Sequence, residues 1–382
     1  WRVYVSREAA TVLLGGGINF ATLGSEQVFE TQKAIVKVMT TLEDSYAAIC
    51  HAGEAGDKCL VLCDRGIMDA SVYCDKQTWE RILRVSALNH NEACDARYDA
   101  VIHLVTAADG AEKFYNLDSN EEGVRTETAQ QAIELDKKTS QAWNSHPTHL
   151  TIDNSTDFKG KLLRVLSSIC NVVGVPAPSK NVKRRKFLVS RANLARAGFE
   201  VSTSDCEYTY LVSTDNSQHR LRRRALDGVY LYTHILRTAG ANGEMFDVKR
   251  NIDRNQYLML LAHQDPDRML IRLLRQSFVF KNRNFQLNTV LGVNPKTKGG
   301  GRSPRVSPRP FDGIQLLMVW TDEMGEVELP GAPAVHVEKE VTGMMEYSLF
   351  HLSHYSREAG AQQGALGTPP ISPQRPPPRG KS

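Results

Sequence analysis

No stretch of the chain approaches the roughly 18 consecutive apolar residues of a membrane-spanning helix, and no secretory leader is visible. Cysteine is scarce. The seven thiols (Cys50, Cys59, Cys63, Cys74, Cys94, Cys170 and Cys206) are odd in number, and none shows Cys-x-x-Cys spacing. These features exclude a disulfide framework and the common zinc modules, and reduced, buried thiols are expected. A large charge excess is lacking as well. The 47 Lys and Arg against 43 Asp and Glu leave a net +4, so the placement of the basic residues says more than their total. No internal repeat is present. What remains, 41% hydrophobic and 24% charged residues over 382 positions, suits globular cores and two domains of ordinary size.

Residues 1–175 alternate short apolar runs with longer amphipathic stretches. Strands are expected at 2–6, 59–63, 100–105 and 149–153. Helices are expected from residue 7 and over 27–50, 77–86, 126–143 and 157–173. This alternation predicts an α/β unit with a mostly parallel sheet covered by helices. Pro176-Ala177-Pro178-Ser179-Lys180 places a linker at 176–184. Beyond it, strands follow one another at 186–190, 207–213, 218–224, 229–237, 244–250, 270–274, 276–281, 284–290 and 314–320, with one helix at 253–262. That succession predicts an antiparallel β-barrel across 185–355. A Gly-, Pro- and Lys/Arg-rich insert at 294–310 and a Pro-rich tail at 356–382 are expected to be disordered.

Chemistry-bearing residues cluster at the predicted strand ends. Leu60-Val61-Leu62-Cys63-Asp64-Arg65-Gly66 is an apolar strand ending in an acid. In P-loop proteins such an acid orients Mg²⁺ or its waters beside nucleotide phosphates, and a helix cap is the plainer alternative. Glu8 follows the first strand, where kinases of this class direct a carboxylate at the acceptor hydroxyl. Arg125 opens a helix after the Gly- and acid-rich segment 117–123, from which a mobile lid brings an arginine onto transferring phosphates. Asp153 and Asn154 follow the last strand, where the base is usually contacted. A phosphate loop is absent. Gly15-Gly16-Gly17-Ile18-Asn19 has no Lys-Ser/Thr and follows a helix, so it offers no backbone N–H cradle.

Six segments recur in an order that points to a family. They are Glu8-Ala9-Ala10-Thr11, Cys63-Asp64-Arg65-Gly66-x-Met68-Asp69-Ala70 and Ala107-Ala108-x-Gly110-Ala111-Glu112-x-Phe114-Tyr115, followed by Glu134-Leu135-Asp136, Ala142-Trp143-x-x-His146-Pro147 and Asp153-Asn154-Ser155-Thr156-Asp157-Phe158. Over about residues 1–355 the chain resembles the animal TRPL translocation defect proteins, in which a NadR-like P-loop ATPase/kinase domain precedes a CYTH-type domain. The resemblance implies a first strand and a phosphate loop ahead of Trp1, so the chain is expected to be N-terminally truncated. Two strands should then lack the neighbour that runs between them. The resemblance also implies GTP or ATP with Mg²⁺ held indirectly by Asp64, nucleotide contacts from Arg65, Asp153 and Asn154, and catalytic roles for Glu8 and Arg125. Without the loop, little nucleotide binding and no phosphoryl transfer are expected.

The strongest charge feature is His219-Arg220-Leu221-Arg222-Arg223-Arg224. Alternate strand residues share a face, so Arg220, Arg222 and Arg224 are expected to line one side, suited to a polyphosphate or a phospholipid head group. A solvated sheet edge is the plainer alternative. Aromatic residues do not interleave with this run, and no nucleic-acid-binding motif accompanies it. CYTH triphosphatases open their barrel with Glu-x-Glu-x-Lys. Aligned on Val182–Lys186, only Lys186 keeps its type, and Val182 and Arg184 replace the glutamates. Asn288 and Met318 stand where Asp and Glu are usual, and Leu273-x-Arg275 replaces a Lys-x-Arg pair. The carboxylates that would hold Mg²⁺ on a triphosphate are thus missing. Lys186, Arg220, Arg222, Arg224, Lys249 and Arg275 are expected to bind an anion without hydrolysing it. Glu338–Gly343 matches the family's closing helix and turn.

The resemblance therefore implies a cytoplasmic, membrane-peripheral protein that binds GTP and anionic lipids (phosphoinositides or phosphatidic acid) and acts in membrane trafficking with protein partners. A small-molecule kinase of the ribosylnicotinamide or nucleoside type is the alternative. A polyphosphate phosphatase is a third reading, which the missing acids oppose.

Overall fold

The computed structural model describes residues 1–54, 56–115, 128–175, 177, 183–213, 217–226, 228–239, 245–291, 312–321 and 327–354. Arg125 and its lid segment, Val182, most of the 176–184 linker, the 294–310 insert and the 356–382 tail lie outside these described residues.

The apolar runs of the N-terminal half form strands as expected. β1 (Arg2–Ser6) pairs in parallel with β2 (Cys59–Cys63), and β3 (Val101–Leu104) pairs in parallel with β4 (His149–Ile152). Among the described residues these are two separate two-stranded ladders, so the continuous parallel sheet is present only as two pairs. Val3, Val5 and Leu104 are correspondingly exposed. Among the described residues five α-helices accompany them: α1 (Ala9–Leu14), α2 (Ser25–His51), α3 (Lys76–Val85), α4 (Ala129–Ala142) and α5 (Phe158–Val173). Their starts are written in side chains. Asp75 accepts from the Thr78 N–H, Thr128 and Gln131 form a capping box, and Asp157 accepts from the Gly160 N–H. Helix α5 ends at Gly174 in the left-handed region, φ 70°.

Phe29, Val36, Ile67, Met68, Trp79, Ile82 and Trp143 make the core of this half. The Asp64-Arg65-Gly66-x-Met68-Asp69 segment owes much of its pattern to that core. A Cβ at Gly66 would lie 2.6 Å from the Trp143 ring. Asp69 accepts the Trp143 indole N–H at 2.8 Å and the Gly66 backbone N–H at 2.7 Å.

The C-terminal half contains β5 (Lys183–Ala192), β6 (Ser202–Tyr210), β7 (Gln218–Leu226), β8 (Val229–Ala239), β9 (Met245–Ile252), α6 (Arg254–Leu261), β10 (Ile271–Phe280), β11 (Arg283–Leu291), β12 (Gln315–Thr321), β13 (Val335–Glu340) and α7 (Leu349–Leu352). The strands form one antiparallel sheet in the order β13-β5-β12-β11-β10-β6-β7-β8-β9. Two expectations are corrected here. The sheet is not closed into a barrel, because β13 and β9 are its two edges and no ladder joins them among the described residues. The face that a barrel would turn inward receives side chains of the N-terminal half instead. The closing helix expected near Glu338–Gly343 is strand β13 followed by a turn, because Val335 and Val337 alternate toward the core with a period of two.

The two faces of the sheet differ in character. Phe187, Val189, Phe278, Phe285, Leu287, Leu317 and Val319 pack together on one. The register places Lys186, Met318 and Gln286 on the other, with Asn288 and Arg275 beside them and Arg220, Arg222 and Arg224 further along.

Candidate functional site

The parallel pairing of β1 with β2 brings together the first group of candidate residues. Ser6 lies opposite Cys63, so the segments leaving the two strands run side by side. Arg65 adopts a left-handed backbone, φ 73°, and its Nε reaches Glu8 Oε1 at 3.5 Å. Burial would lower the Arg65 pKa, but Asp69, Tyr73, Glu8 and Asp64 outweigh it and raise it. Glu8 also accepts from the Thr11 hydroxyl at 2.7 Å. The Asp64 backbone N–H donates to the Ser6 carbonyl at 2.9 Å. Asp64, Arg65 and Glu8 are therefore neighbours at the carboxyl ends of parallel strands, where α/β sheets place their ligands.

Asp153 and Asn154 leave the end of β4, and their side chains are engaged within the protein. Asp153 accepts from Arg164 Nη1 at 2.8 Å and from the Ser155 hydroxyl at 2.6 Å. Asn154 Nδ2 donates to the carbonyls of Thr106 and Asp109, both at 2.7 Å, and Asn154 Oδ1 accepts from Lys161. Arg283 of the β10–β11 hairpin lies 3.6 Å from Asp153, and the neighbouring Asn282 donates to Asp109 at 2.9 Å. The tip of the second half thus rests on this loop. No group of three or more His, Cys, Asp or Glu among the described residues is arranged to hold a metal. Mg²⁺ beside a nucleotide needs only one or two carboxylates with phosphate oxygens. Asp64 fits that supporting role, whereas Glu8 is already shared between Arg65 and Thr11.

The polar face of the large sheet holds the second group. Strands β5 and β8 are six places apart in the strand order, ~29 Å if the sheet were flat. Yet the charges of Arg220, Arg237 and Arg275 all bear on Arg184 of β5, so the sheet curls around this face. Burial is the larger influence on Arg184, and together they lower its pKa against the pull of Asp247. The Arg184 side chain is nevertheless exposed and lies 5.8 Å from the centre of the Trp320 ring. Lys186, two residues on, donates to the Tyr347 carbonyl at 2.9 Å. Burial, with Arg184, Arg237 and Arg220, pushes its pKa down to about 8. Arg220 is held by Asp247 at 2.5 Å, and Arg237 lies 4.0 Å from the same carboxylate.

Further along this face stand Arg222, Arg224 and Arg275, each at least nine-tenths buried. Arg224 Nη1 donates to Asp95 Oδ2 at 2.5 Å and Arg224 Nη2 to the Ser145 carbonyl at 2.5 Å. Arg222 lies 3.7 Å from Asp95 and donates to Thr233 Oγ1 at 3.1 Å. Arg275 donates to Asn288 Oδ1 at 2.9 Å. Lys249 Nζ donates to Thr148 Oγ1 at 2.7 Å, and burial followed by Arg222 pushes its pKa down to about 8. Burial would raise the Asp95 pKa, but Arg222 and Arg224 overcome it and hold the carboxyl at about 2. Asp95, Ser145 and Thr148 belong to the N-terminal half, so Arg222, Arg224 and Lys249 meet that half of the chain directly.

Eight basic side chains (Arg184, Lys186, Arg220, Arg222, Arg224, Arg237, Lys249 and Arg275) therefore line one face; among the described residues Asp95 and Asp247 form ion pairs with Arg220, Arg222, Arg224 and Arg237, and Asp99 also bears on Lys249. Sequence reasoning missed Arg184 as a cation of the site, having treated it as a replaced glutamate. It also missed Arg237 and Asp247, which the alternation of β8 and β9 could have revealed. Asp95 carried no signal, because nothing local marks a residue whose partners lie more than a hundred positions away.

Residues 6–161 match a family model described as an AAA domain. The N-terminal half is thus similar to AAA-type domains of the nucleotide-binding class. Glu8, Asp64, Arg65, Asp95, Asp153 and Asn154 all fall inside the matched region. No curated protein matches the chain. Among solved structures, the chain is similar to a Pyrococcus horikoshii OT3 protein at 15% identity, covering 36% of this chain and 76% of that one with a TM-score of 0.25. It is also similar to a putative adenylate cyclase from Bacillus halodurans at 10% identity, covering 36% and 79% with a TM-score of 0.23. A putative adenylate cyclase from Vibrio parahaemolyticus gives 11% identity, 37% and 78% coverage and a TM-score of 0.23. These scores carry no argument about the AAA-type half or the sheet that follows it. No helix among the described residues is long and apolar enough to cross a membrane.

Proposed function

We propose that this protein binds phosphorylated anions at two places, a nucleotide at the AAA-type half and a polyphosphate-bearing ligand on the concave face of the large sheet. The excess of cations on that face carries the reading. Buried or enclosed positive charge without a partner costs several kcal/mol, and bidentate guanidinium–phosphate contacts are the strongest way to offset it. Asn288 and Met318 are neutral neighbours of Arg275 on this face, so the site attracts phosphate without carboxylates to carry Mg²⁺ onto it. Binding rather than hydrolysis follows.

Two sources share this ligand chemistry. One is a phosphoinositide or phosphatidic acid head group, which the likeness to the TRPL translocation defect proteins favours, along with GTP at the AAA-type half and a peripheral, cytoplasmic role in membrane trafficking. The other is a soluble polyphosphate. Titration of the full chain with sodium tripolyphosphate, and flotation with vesicles containing phosphatidylinositol bisphosphate, separate the two. Charge reversal of Arg184 and Arg237 together is expected to weaken either interaction by about a hundredfold or more. Equal binding by wild type and the double variant, or equal binding to vesicles of phosphatidylcholine alone, would refute the site.

A kinase reading is favoured by one observation, the convergence of Glu8, Asp64 and Arg65 at the ends of β1 and β2. Its test is acceptor-dependent ATP or GTP turnover by a chain that carries a phosphate loop. Nucleotide binding without such turnover would leave the binding reading standing alone.

A further inference from the structure

The contact between the two halves has an unusual charge balance. Among the described residues Asp95 is the one carboxylate shared by Arg222 and Arg224. The sharing is unequal, since Arg224 holds it at 2.5 Å and Arg222 at 3.7 Å. Arg222 Nε is buried with no hydrogen-bond partner among the described residues, as is Arg220 Nε. Lys249 and Arg275 stand close enough for the Asp95 charge to bear on both. Asp95 and Asp247 thus serve Arg220, Arg222 and Arg224 between them, and two buried guanidinium N–H donors stay without an acceptor among the described residues. A contact evolved only to fasten two halves would be expected to satisfy them.

These unsatisfied donors are continuous with the proposed anion site. Arg220 and Arg222 alternate on the same face of β7, ~7 Å apart along the strand, as do Asp247 and Lys249 on β9. A ligand with several linked phosphates seated among Arg184, Arg220 and Arg237 therefore extends toward Arg222. There it meets Asp95, whose carboxylate offers a guanidinium the same planar pair of oxygens that a phosphate offers.

We propose that Asp95 is an internal competitor for the anion site. Its carboxylate holds the inner end of the cationic face closed against the AAA-type half. A polyphosphorylated ligand displaces it, releasing the short helical turn Glu92–Ala96 from the sheet. This rests on the anion-binding reading above and adds that occupancy of the sheet is sensed by the AAA-type half. The linkage runs both ways, so whatever loosens the 92–96 turn strengthens anion binding.

The test uses the full chain. Amide hydrogen exchange is followed at 92–96 and 145–148 with and without sodium tripolyphosphate, then with vesicles containing phosphatidylinositol bisphosphate against vesicles of phosphatidylcholine. Tripolyphosphate affinity is measured for wild type and Asp95→Asn, with near-ultraviolet circular dichroism confirming that the variant is folded. The proposal expects faster exchange at both segments on binding, and affinity raised about tenfold by Asp95→Asn. Tripolyphosphate binding with unchanged or slower exchange at 92–96 overturns the competitor role and leaves the anion site intact. Absence of binding by both proteins overturns the anion site and the competitor role with it. If Asp95→Asn fails to fold, the wild-type exchange measurement decides alone.

Discussion

Lys186 would give the proposed anion site a pH signature that its arginines cannot. Burial and the charges of Arg184, Arg237 and Arg220 push its pKa down to about 8, while its Nζ donates to the Tyr347 carbonyl. A phosphate bound among these groups supplies the missing counter-charge and returns the lysine toward its ordinary value of about 10.4. Binding above pH 8 then takes up a proton. Affinity is expected to be nearly flat from pH 6.5 to 7.5 and to fall about 30-fold by pH 9.5, a figure that follows from one lysine shifting between those two values. Lys249, also pushed down to about 8, steepens the fall only if the ligand reaches Arg222. Isothermal titration of tripolyphosphate in two buffers of different ionisation enthalpy reads the proton uptake directly. Lys186→Arg should keep the affinity and abolish most of the slope. Affinity that stays constant to pH 9.5, or no proton uptake at pH 9, would refute the placement of Lys186 in the site.

Gly66→Ala pushes a methyl to 2.6 Å from the Trp143 ring, and a thermal melt should fall by several degrees, corresponding to about 1–3 kcal/mol; an unchanged melting temperature would contradict that packing. Burial holds His146 neutral by lowering its pKa to about 4, so between about pH 6.5 and 4 the unfolded chain binds a proton that the folded chain refuses. Stability is therefore lost as pH falls through that window, by about 3 kcal/mol, and urea melts of His146→Gln should show a shallower dependence. Asp95, held at about 2, adds its own loss only at lower pH, as the carboxyl protonates between its unfolded value and 2. Asp157→Ala removes the N-cap of α5 and should cost about 1 kcal/mol in a denaturant melt, with little cost if the helix start is fixed by packing alone.

The helices and strands of the N-terminal half were legible because their signals are local. Asp75, Thr128 and Asp157 mark helix starts, and Cys59–Cys63 is a short apolar run between polar segments. Alternation along β7 likewise placed Arg220, Arg222 and Arg224 on one face. What alternation could not say is what that face meets. A guanidinium in a strand looks the same whether it awaits a phosphate or already holds Asp95 from 129 residues away. Closure was illegible for the same reason. Each strand of an open sheet carries the pattern of a barrel strand, and only the position of Asp95, Ser145 and Thr148 against the polar face distinguishes the two. Strand β13 was misread because Glu338-Lys339-Glu340 is charged enough to suggest a helix surface, whereas Val335 and Val337 carry the strand period.

The β10–β11 hairpin sets a limit on how this chain can change in length. Its tip, Lys281-Asn282, sits in the left-handed region and touches Asp109, while Arg283 lies beside Asp153. Its strands align Phe278 with Phe285 and Arg275 with Asn288. Adding or deleting one residue at the tip would slip one strand past the other, turn either Arg275 or Asn288 into the aromatic core and the phenylalanine of the same strand onto the cationic face, and lift the tip from the loop beneath it. Insertions of a single residue should therefore be rejected here, and a library of such insertions scanned along the chain should show this hairpin as one of its sharpest gaps.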